Sequence, residues 1–316
     1  MPSEFELIRK YFERAQRQAR AGNRTALGIG DDAALLRPSA AMELAVSTDL
    51  LLEGRHFRAG ADPRKLGHKA LAVNLSDMAA MGAAPRWATL AIALPEADEA
   101  WLEAFCKGFF ALAERFGVEL VGGDTCRGPL TLCVTILGEV PAGLALFRAG
   151  AGPGDDIWVS GELGGAALGL AKPEIAAAAK RLEEPEPRVE LGERLRGIAS
   201  AAIDVSDGFA QDLGHILDRS GVGAIVEYRL LPQPVDVKRI QDKELQARLV
   251  LSGGDDYELV FTAPQGVRAE VTALSSELKL TLSRVGSIQV GEPRLLVLDS
   301  QGRPMAVAHG FDHFQP

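Results

Sequence analysis

The sequence predicts an α/β protein built as two domains. Its 316 residues exceed one ordinary domain, which makes two units of about 150 residues the natural division. A hydrophobic content of 47% is enough for two cores. Along the chain, short apolar runs ending in Gly/Asp or Ser/Asp clusters alternate with stretches of helical period. The Gly- and Pro-rich segment 148–155 marks the junction by composition.

Residues 1–20 carry charge every few positions, with Phe5, Ile8, Tyr11 and Phe12 at helical spacing, which reads as an amphipathic helix and not a signal peptide. Next comes Gly28, Ile29, Gly30, Asp31, Asp32, a flexible turn leading into the apolar run 33–36, which reads as a buried strand. Two unit charges about 4 Å apart repel by about 4 kcal/mol at an effective dielectric near 20. The Asp pair is therefore either a solvated acidic turn or part of a closed site that needs a cation or a shared proton. A strand at 44–47 runs into Thr48 and Asp49 and on to His56 and Phe57, setting polar groups at the mouth of an apolar strand, where α/β proteins place binding residues. From Pro63 a helix carries Leu66, Ala70, Val73, Asn74, Asp77, Met78 and Met81 on one face. Asp77 on that apolar side is costly to bury unless it meets a backbone amide or a metal.

Residues 87–94 read as a strand and 100–116 as an amphipathic helix. Leu120 and Val121 close a strand that opens into a glycine turn presenting Asp124 and Thr125, and 130–140 reads as a buried strand. In the second half, a strand at 157–160 leads through a glycine-rich turn into an Ala-rich helix. Small residues there serve close helix–sheet packing or, alternatively, a phosphate cradle. Residues 183–188 read as a charged, Pro-broken surface loop. The strand 201–206 ends with Asp204 and Ser206 on one face by alternation. Asp207 then opens a helix with Phe209, Leu213, Ile216 and Leu217 inward, either as its N-cap or as part of a site. Asp255 and Asp256 echo the cluster at 122–125, strands follow at 260–262 and 295–298, and the closing aromatics Phe311 and Phe314 read as packing.

With 43 acidic against 34 basic residues, the net charge of −9 argues against a nucleic-acid surface, which needs a basic stripe. An acidic protein that handles phosphates needs metal ions between itself and its substrate. Cys106, Cys126 and Cys133 lack C-x-x-C spacing, so neither a disulfide framework nor a zinc site is expected, and a reduced cytoplasmic setting fits. No apolar run reaches the length of a membrane span. Asp31, Asp32, Asp49, Asp77, Asp124, Asp204 and Asp207, with the hydroxyls of Ser47, Thr48, Thr125 and Ser206, make an all-oxygen set that favours Mg²⁺ over zinc or copper. Neither a P-loop nor the protein-kinase signature is present, so phosphoryl transfer would run on another scaffold.

The motifs at 28–36, 47–57, 67–85, 121–128, 204–208 and 251–259, in that order, resemble those of thiamine-monophosphate kinases. That family belongs to a wider group with aminoimidazole ribonucleotide synthetase and selenophosphate synthetase; the absence of a cysteine near the first glycine motif disfavours the latter. The resemblance implies direct in-line transfer of the ATP γ-phosphoryl to thiamine monophosphate, with several Mg²⁺ ions. It also implies an N-terminal domain, 1–145, whose mixed sheet binds ATP and metal and pairs in a homodimer, and a C-terminal α/β domain, 146–316, completing the nucleotide and substrate site. By motif, metal would be held by Asp31, Asp32, Ser47, Thr48, Asp49, Asp77, Asp124, Asp204 and Asp207, with catalysis assigned to Asp49, Asp77, Asp124 and Asp204. Gly123, Asp124, Arg148 and Ser206 would contact ATP, and His56, Asp255 and Phe311 the thiamine phosphate.

Asp255 stands where the family usually has Glu, so its contact would run through water or come from Asp256. Phe311 stands where Tyr or Trp is usual and keeps the ring without the polar handle. The alternatives are an aminoimidazole ribonucleotide synthetase-like enzyme and a non-catalytic Mg–nucleotide-binding protein; loss of a metal Asp would favour the second, and none is missing.

Overall fold

The computed structural model describes residues 3–13, 24–308 and 310–311. The chain divides into two compact units, Met1–Met78 with Ala83–Gly143, and Ala79–Gly82 with Leu144–Pro316.

In the first unit, β1 (Thr25–Leu27) and β2 (Leu35–Leu36) form a short antiparallel ribbon. β3 (Met42–Leu52), β4 (Ala84–Leu94), β5 (Glu119–Arg127) and β6 (Thr131–Pro141) make a four-stranded sheet in the order β3-β6-β4-β5. Only β4 and β5 run parallel, so the sheet is mixed, as expected. The helix Pro63–Ala80 lies on one face, where Gly138 of β6 leaves room for Met78 Sδ. A second helix, Glu99–Phe116, crosses the first at backbone contact: a Cβ on Gly67 would stand 2.1 Å from Phe105 O, and one on Gly108 1.8 Å from Arg64 O. Small residues at this crossing explain the glycine in the 67–85 motif. Alternation then buries Leu51, Leu132, Val134 and Ile136 beneath the helices and leaves Leu44, Val46, Leu50 and Leu52 exposed on the opposite face.

In the second unit, β7 (Asp156–Ser160), β8 (Ala201–Asp204), β9 (Gly223–Glu227), β10 (Leu259–Ala263), β11 (Leu282–Gln289) and β12 (Leu295–Leu298) form a sheet in the order β12-β9-β11-β7-β10-β8. All pairings are antiparallel except β12 with β9. The helix Phe209–Ser220 buries Phe209, Leu213, Ile216 and Leu217, the residues its period selects.

Several expectations are corrected. The run 33–36 is not a buried strand: Leu35 is 58% exposed in a two-residue ribbon. Ser47, Thr48 and Asp49 lie inside β3, not at its mouth, and Gly122–Arg127 continue β5 where a turn was expected. β8 ends at Asp204, so Ser206 falls outside it. The segment 183–188 is not a surface loop, because Pro185 and Pro187 are buried and Arg188 grips the buried Glu258. At the N-terminus, the α-helix Glu4–Leu7 passes into a π-helix, Ile8–Glu13, which buries Tyr11 and Phe12 while Phe5 stays 70% exposed. The rest of the expected helix, 14–20, and Phe314 lie outside the described residues.

Candidate active site

In the first unit, the edge strand β3 sets Ser47 and Asp49 on the helix-covered side, in phase with buried Leu51. Ser47 Oγ donates to Asp77 Oδ2 at 2.5 Å, so the helical face predicted for Asp77 delivers its carboxylate to this strand. One turn earlier, Asn74 is 1% exposed; its Nδ2 donates to Ala70 O, and its Oδ1 accepts no hydrogen bond among the described residues. Thr48 points the other way, its hydroxyl meeting that of Thr135 at 2.8 Å, so its side chain does not join Ser47 and Asp77. The Leu52 N–H donates to His56 Nδ1 at 2.9 Å, so a neutral ring carries its proton on Nε2.

A cavity of about 640 Å³ gathers Asp31, Asp32, Gly123 and Asp124 against an apolar wall that includes Phe12, Leu90 and Val121. Asp31 Oδ1 accepts the Asp32 N–H at 2.9 Å, and Asp124 Oδ1 accepts the Thr125 N–H at 3.0 Å. Gly123 has φ +148°, and a Cβ there would stand 1.8 Å from Leu90 O. Only glycine lets β5 lie this close to β4 while turning Asp124 toward the cavity.

The second unit builds a separate cluster around the end of β8. Asp204 is 5% exposed and Asp212 2% exposed. Asp212 Oδ2 accepts the N–H groups of Asp207, at 3.1 Å, and Gly208, at 3.0 Å; the helix cap residue is Gly208, so Asp207 is not the cap. Burial pushes the Asp212 carboxyl up to about 8, the charges of Asp204 and Asp207 add to the rise, and the two N–H bonds oppose it. Asp212 was missed in the sequence, yet it lies three residues after Phe209 on the apolar face, the signal that singles out Asp77.

The segment 205–207 organises its neighbours through backbone carbonyls. Tyr257 N–H donates to Val205 O, Asp255 N–H to Ser206 O, and Phe311 N–H to Asp207 O. Ser206, Asp207, Asp255 and Phe311 are thereby brought together. Phe311 is 40% exposed, so its ring is not packed away as a terminal aromatic. Asp255 and Tyr257 both have positive φ, +66° and +50°, a cost that non-glycine residues bear mainly at functional sites. Asp256 does not replace Asp255: its carboxylate takes the N–H groups of Gly164 and Ala166, and burial pushes it up to about 7. The Asp255 carboxylate accepts Tyr257 OH at 3.1 Å. Arg148 is exposed, and its carbonyl accepts Ser220 Oγ.

Among the described residues, no three His, Cys, Asp or Glu side chains converge as a ready-made ligand set. The donors fit Mg²⁺ nonetheless. This ion takes one or two carboxylates and completes its shell with water and phosphate oxygens, and paired, oxygen-only groups such as Asp31, Asp32 and Asp124 suit that chemistry.

The AIR synthase related protein family matches in both parts, its N-terminal domain over residues 30–140 and its C-terminal domain over 152–297. A thiamine-monophosphate kinase of Salmonella typhimurium is 45% identical over 98% of each chain. The crystal structure of thiamine-monophosphate kinase from Stenotrophomonas maltophilia superposes with a TM-score of 0.86 at 46% identity, covering 93% of this chain and 96% of that one. AaThiL complexed with AMPPCP and TMP superposes with a TM-score of 0.77 at 29% identity over 98% and 97% of the two chains. The chain belongs to the thiamine-monophosphate kinase family, within the AIR synthase related proteins.

Proposed function

We propose that this protein moves the γ-phosphoryl group of ATP onto the phosphate of thiamine monophosphate, giving thiamine diphosphate and ADP. The carrying observation is the cavity that gathers Asp31, Asp32, Gly123 and Asp124, in a chain 45% identical over 98% of its length to a thiamine-monophosphate kinase.

Donor and acceptor both bring negative charge, so in-line attack of one phosphate on another demands alignment and neutralisation more than covalent help. Asp31, Asp32, Ser47, Asp49, Asp77, Asp124, Asp204 and Asp207 would hold Mg²⁺ ions that supply that neutralisation, with Thr48, whose hydroxyl is turned to Thr135, contributing through its backbone. Asp49, Asp77, Asp124 and Asp204 are the catalytic carboxylates of this reading. The Ser47–Asp77 bond supports it by holding a carboxylate in one orientation. Gly123, Asp124, Arg148 and Ser206 contact the nucleotide. His56 offers Nε2–H to the acceptor, while Asp255 and Phe311 hold its aromatic part, Phe311 by stacking alone. The acceptor phosphate is already ionised near neutral pH, so no strong general base and no covalent phospho-enzyme are needed.

Residues 1–145 form the ATP- and Mg-binding part and 146–316 supply Arg148, Ser206, Asp255 and Phe311. A homodimer through the open face of the first sheet belongs to the same reading. Val46 is 60% exposed on the edge strand β3, in an apolar row with Leu44, Leu50 and Leu52, a surface that favours a partner. A cytoplasmic setting is supported by three free cysteines. No helix among the described residues is long and apolar enough to cross a membrane.

The test is to incubate the protein with ATP, Mg²⁺ and either thiamine monophosphate or thiamine, and to identify the products by chromatography. Thiamine diphosphate should form from the monophosphate only; no turnover of either would overturn the assignment.

A further inference from the structure

The second unit contains a cavity of about 710 Å³ that shares no lining residue with the nucleotide, metal or thiamine phosphate contacts named above. Five cations line it, Arg181, Arg188, Arg229, Lys238 and Lys279, in a chain whose net charge is −9. Against them stand Glu162, paired with Arg181, Glu258, held by Arg188, and Glu227, 2.7 Å from Arg229. The lining carries five cations and two carboxylates, Glu162 and Glu258; Glu227 at Arg229 and Glu186 near Arg188 offset further charge, which leaves Lys238 and Lys279 as the lining cations without a carboxylate partner among the described residues.

Lys238 and Lys279 are both exposed. Lys279 follows the helix Arg268–Glu277 at φ +50°, a backbone conformation that glycine would adopt at lower cost. A cation just past a helix C-terminus is favoured by the helix dipole, and this ammonium group also lines the cavity wall. Leu230, Leu231 and Pro232 line the cavity too and supply apolar surface beside the charge. Its volume falls within the range of about 300–1,000 Å³ typical of small-molecule sites.

We propose that this cavity is a second ligand site, which binds a small organic phosphate or diphosphate with its anionic end between Lys238, Lys279 and Arg229 and its organic part against Leu230–Pro232. The proposal does not rest on the kinase reading, because binding here uses fixed cations and needs no metal. Anion binding at an aspartate site requires a divalent ion, so chelation separates the two.

The experiment is isothermal titration calorimetry in EDTA, with inorganic pyrophosphate as the probe, on the full chain and on the double variant Lys238→Ala/Lys279→Ala. Saturable binding by the unmodified chain is expected, weakened at least tenfold in the double variant and unchanged in Asp77→Asn, with circular dichroism and melting temperature showing that both variants are folded. Phenyl phosphate should bind more tightly than inorganic phosphate because it adds contact with the apolar wall. Absence of binding in EDTA, equal affinity in the double variant, or equal affinity for the two phosphates would overturn the proposal.

Discussion

Gly122 and Gly123 are adjacent in β5, yet the structure predicts opposite responses to the same methyl group. At Gly122 a Cβ would meet only Thr89 Cγ2 at 3.7 Å, an ordinary contact. At Gly123 it would stand 1.8 Å from Leu90 O, 2.6 Å from Leu90 C and 2.9 Å from Leu90 N, and φ is +148°. Leu90 is the β4 partner of Gly123 in the parallel ladder, so relief of the clash must open the β4–β5 pairing. Overpacking costs about 1–3 kcal/mol, and a side chain in a glycine-only backbone region costs about 1–3 kcal/mol more. Gly123→Ala should therefore destabilise the first unit by about 4 kcal/mol, a large share of a total of about 5–15 kcal/mol. Urea unfolding followed by circular dichroism should show the midpoint falling by about 2 M, taking a slope of about 2 kcal/mol/M. Gly122→Ala should shift it by less than about 0.5 M on the same scale. Equal behaviour of the two variants would refute the steric argument. It would leave Gly123 needed, if at all, for a ligand's approach and not for the strand pairing.

Other substitutions separate the site from the scaffold. Asp77→Asn keeps an acceptor for Ser47 Oγ, so stability should hold within about 1 kcal/mol. Turnover should fall by about 10²–10³-fold, the size of one lost electrostatic contact in a transition state; a near-normal rate would remove Asp77 from the site. Val46→Glu should convert a dimer to a monomer in light scattering without unfolding the chain, and an unchanged mass would sink the proposed interface. Burial would raise the Asp156 carboxyl, but bonds from Arg268, at 2.5 and 2.7 Å, and Arg284, at 3.3 Å, outweigh it and hold it below its ordinary 3.8. Stability from this group is complete above that ordinary value and is lost as pH falls through the lower folded value. Asp156→Asn should therefore lower the melting temperature at neutral pH, with the gap closing below about pH 4; a gap that widened in acid would reverse the sign of the argument.

Which features were legible in the sequence follows from where their causes lie. The face of the helix Pro63–Ala80 is set by its own period, so Asp77 and Asn74 could be placed on its inner side, where both are found. Asp212 obeys the same rule and was equally legible, but it reads as an ordinary charge amid Gln211 and Leu213 unless each helix is searched in the same way. In sequence the glycines of β5 read as a turn, because glycine ordinarily interrupts strands; here the cause is Leu90, some thirty residues away, and no local pattern records it. Asp255 and Asp256 differ for the same reason. Helix Gly165–Ala171 claims the second carboxylate through two backbone amides, a pairing across about ninety residues, while the positive φ of Asp255 sends the first elsewhere. Neighbouring acids of identical type thus acquire different work from partners distant in sequence. The Asp31–Asp32 pair sits in the same situation: its repulsion was legible, whereas its company, Asp124 across a shared cavity, is a property of the folded sheet. That company is what favours a bound cation over a solvated turn, since a third carboxylate lining the same cavity adds to the negative charge of the pair, which a cation offsets.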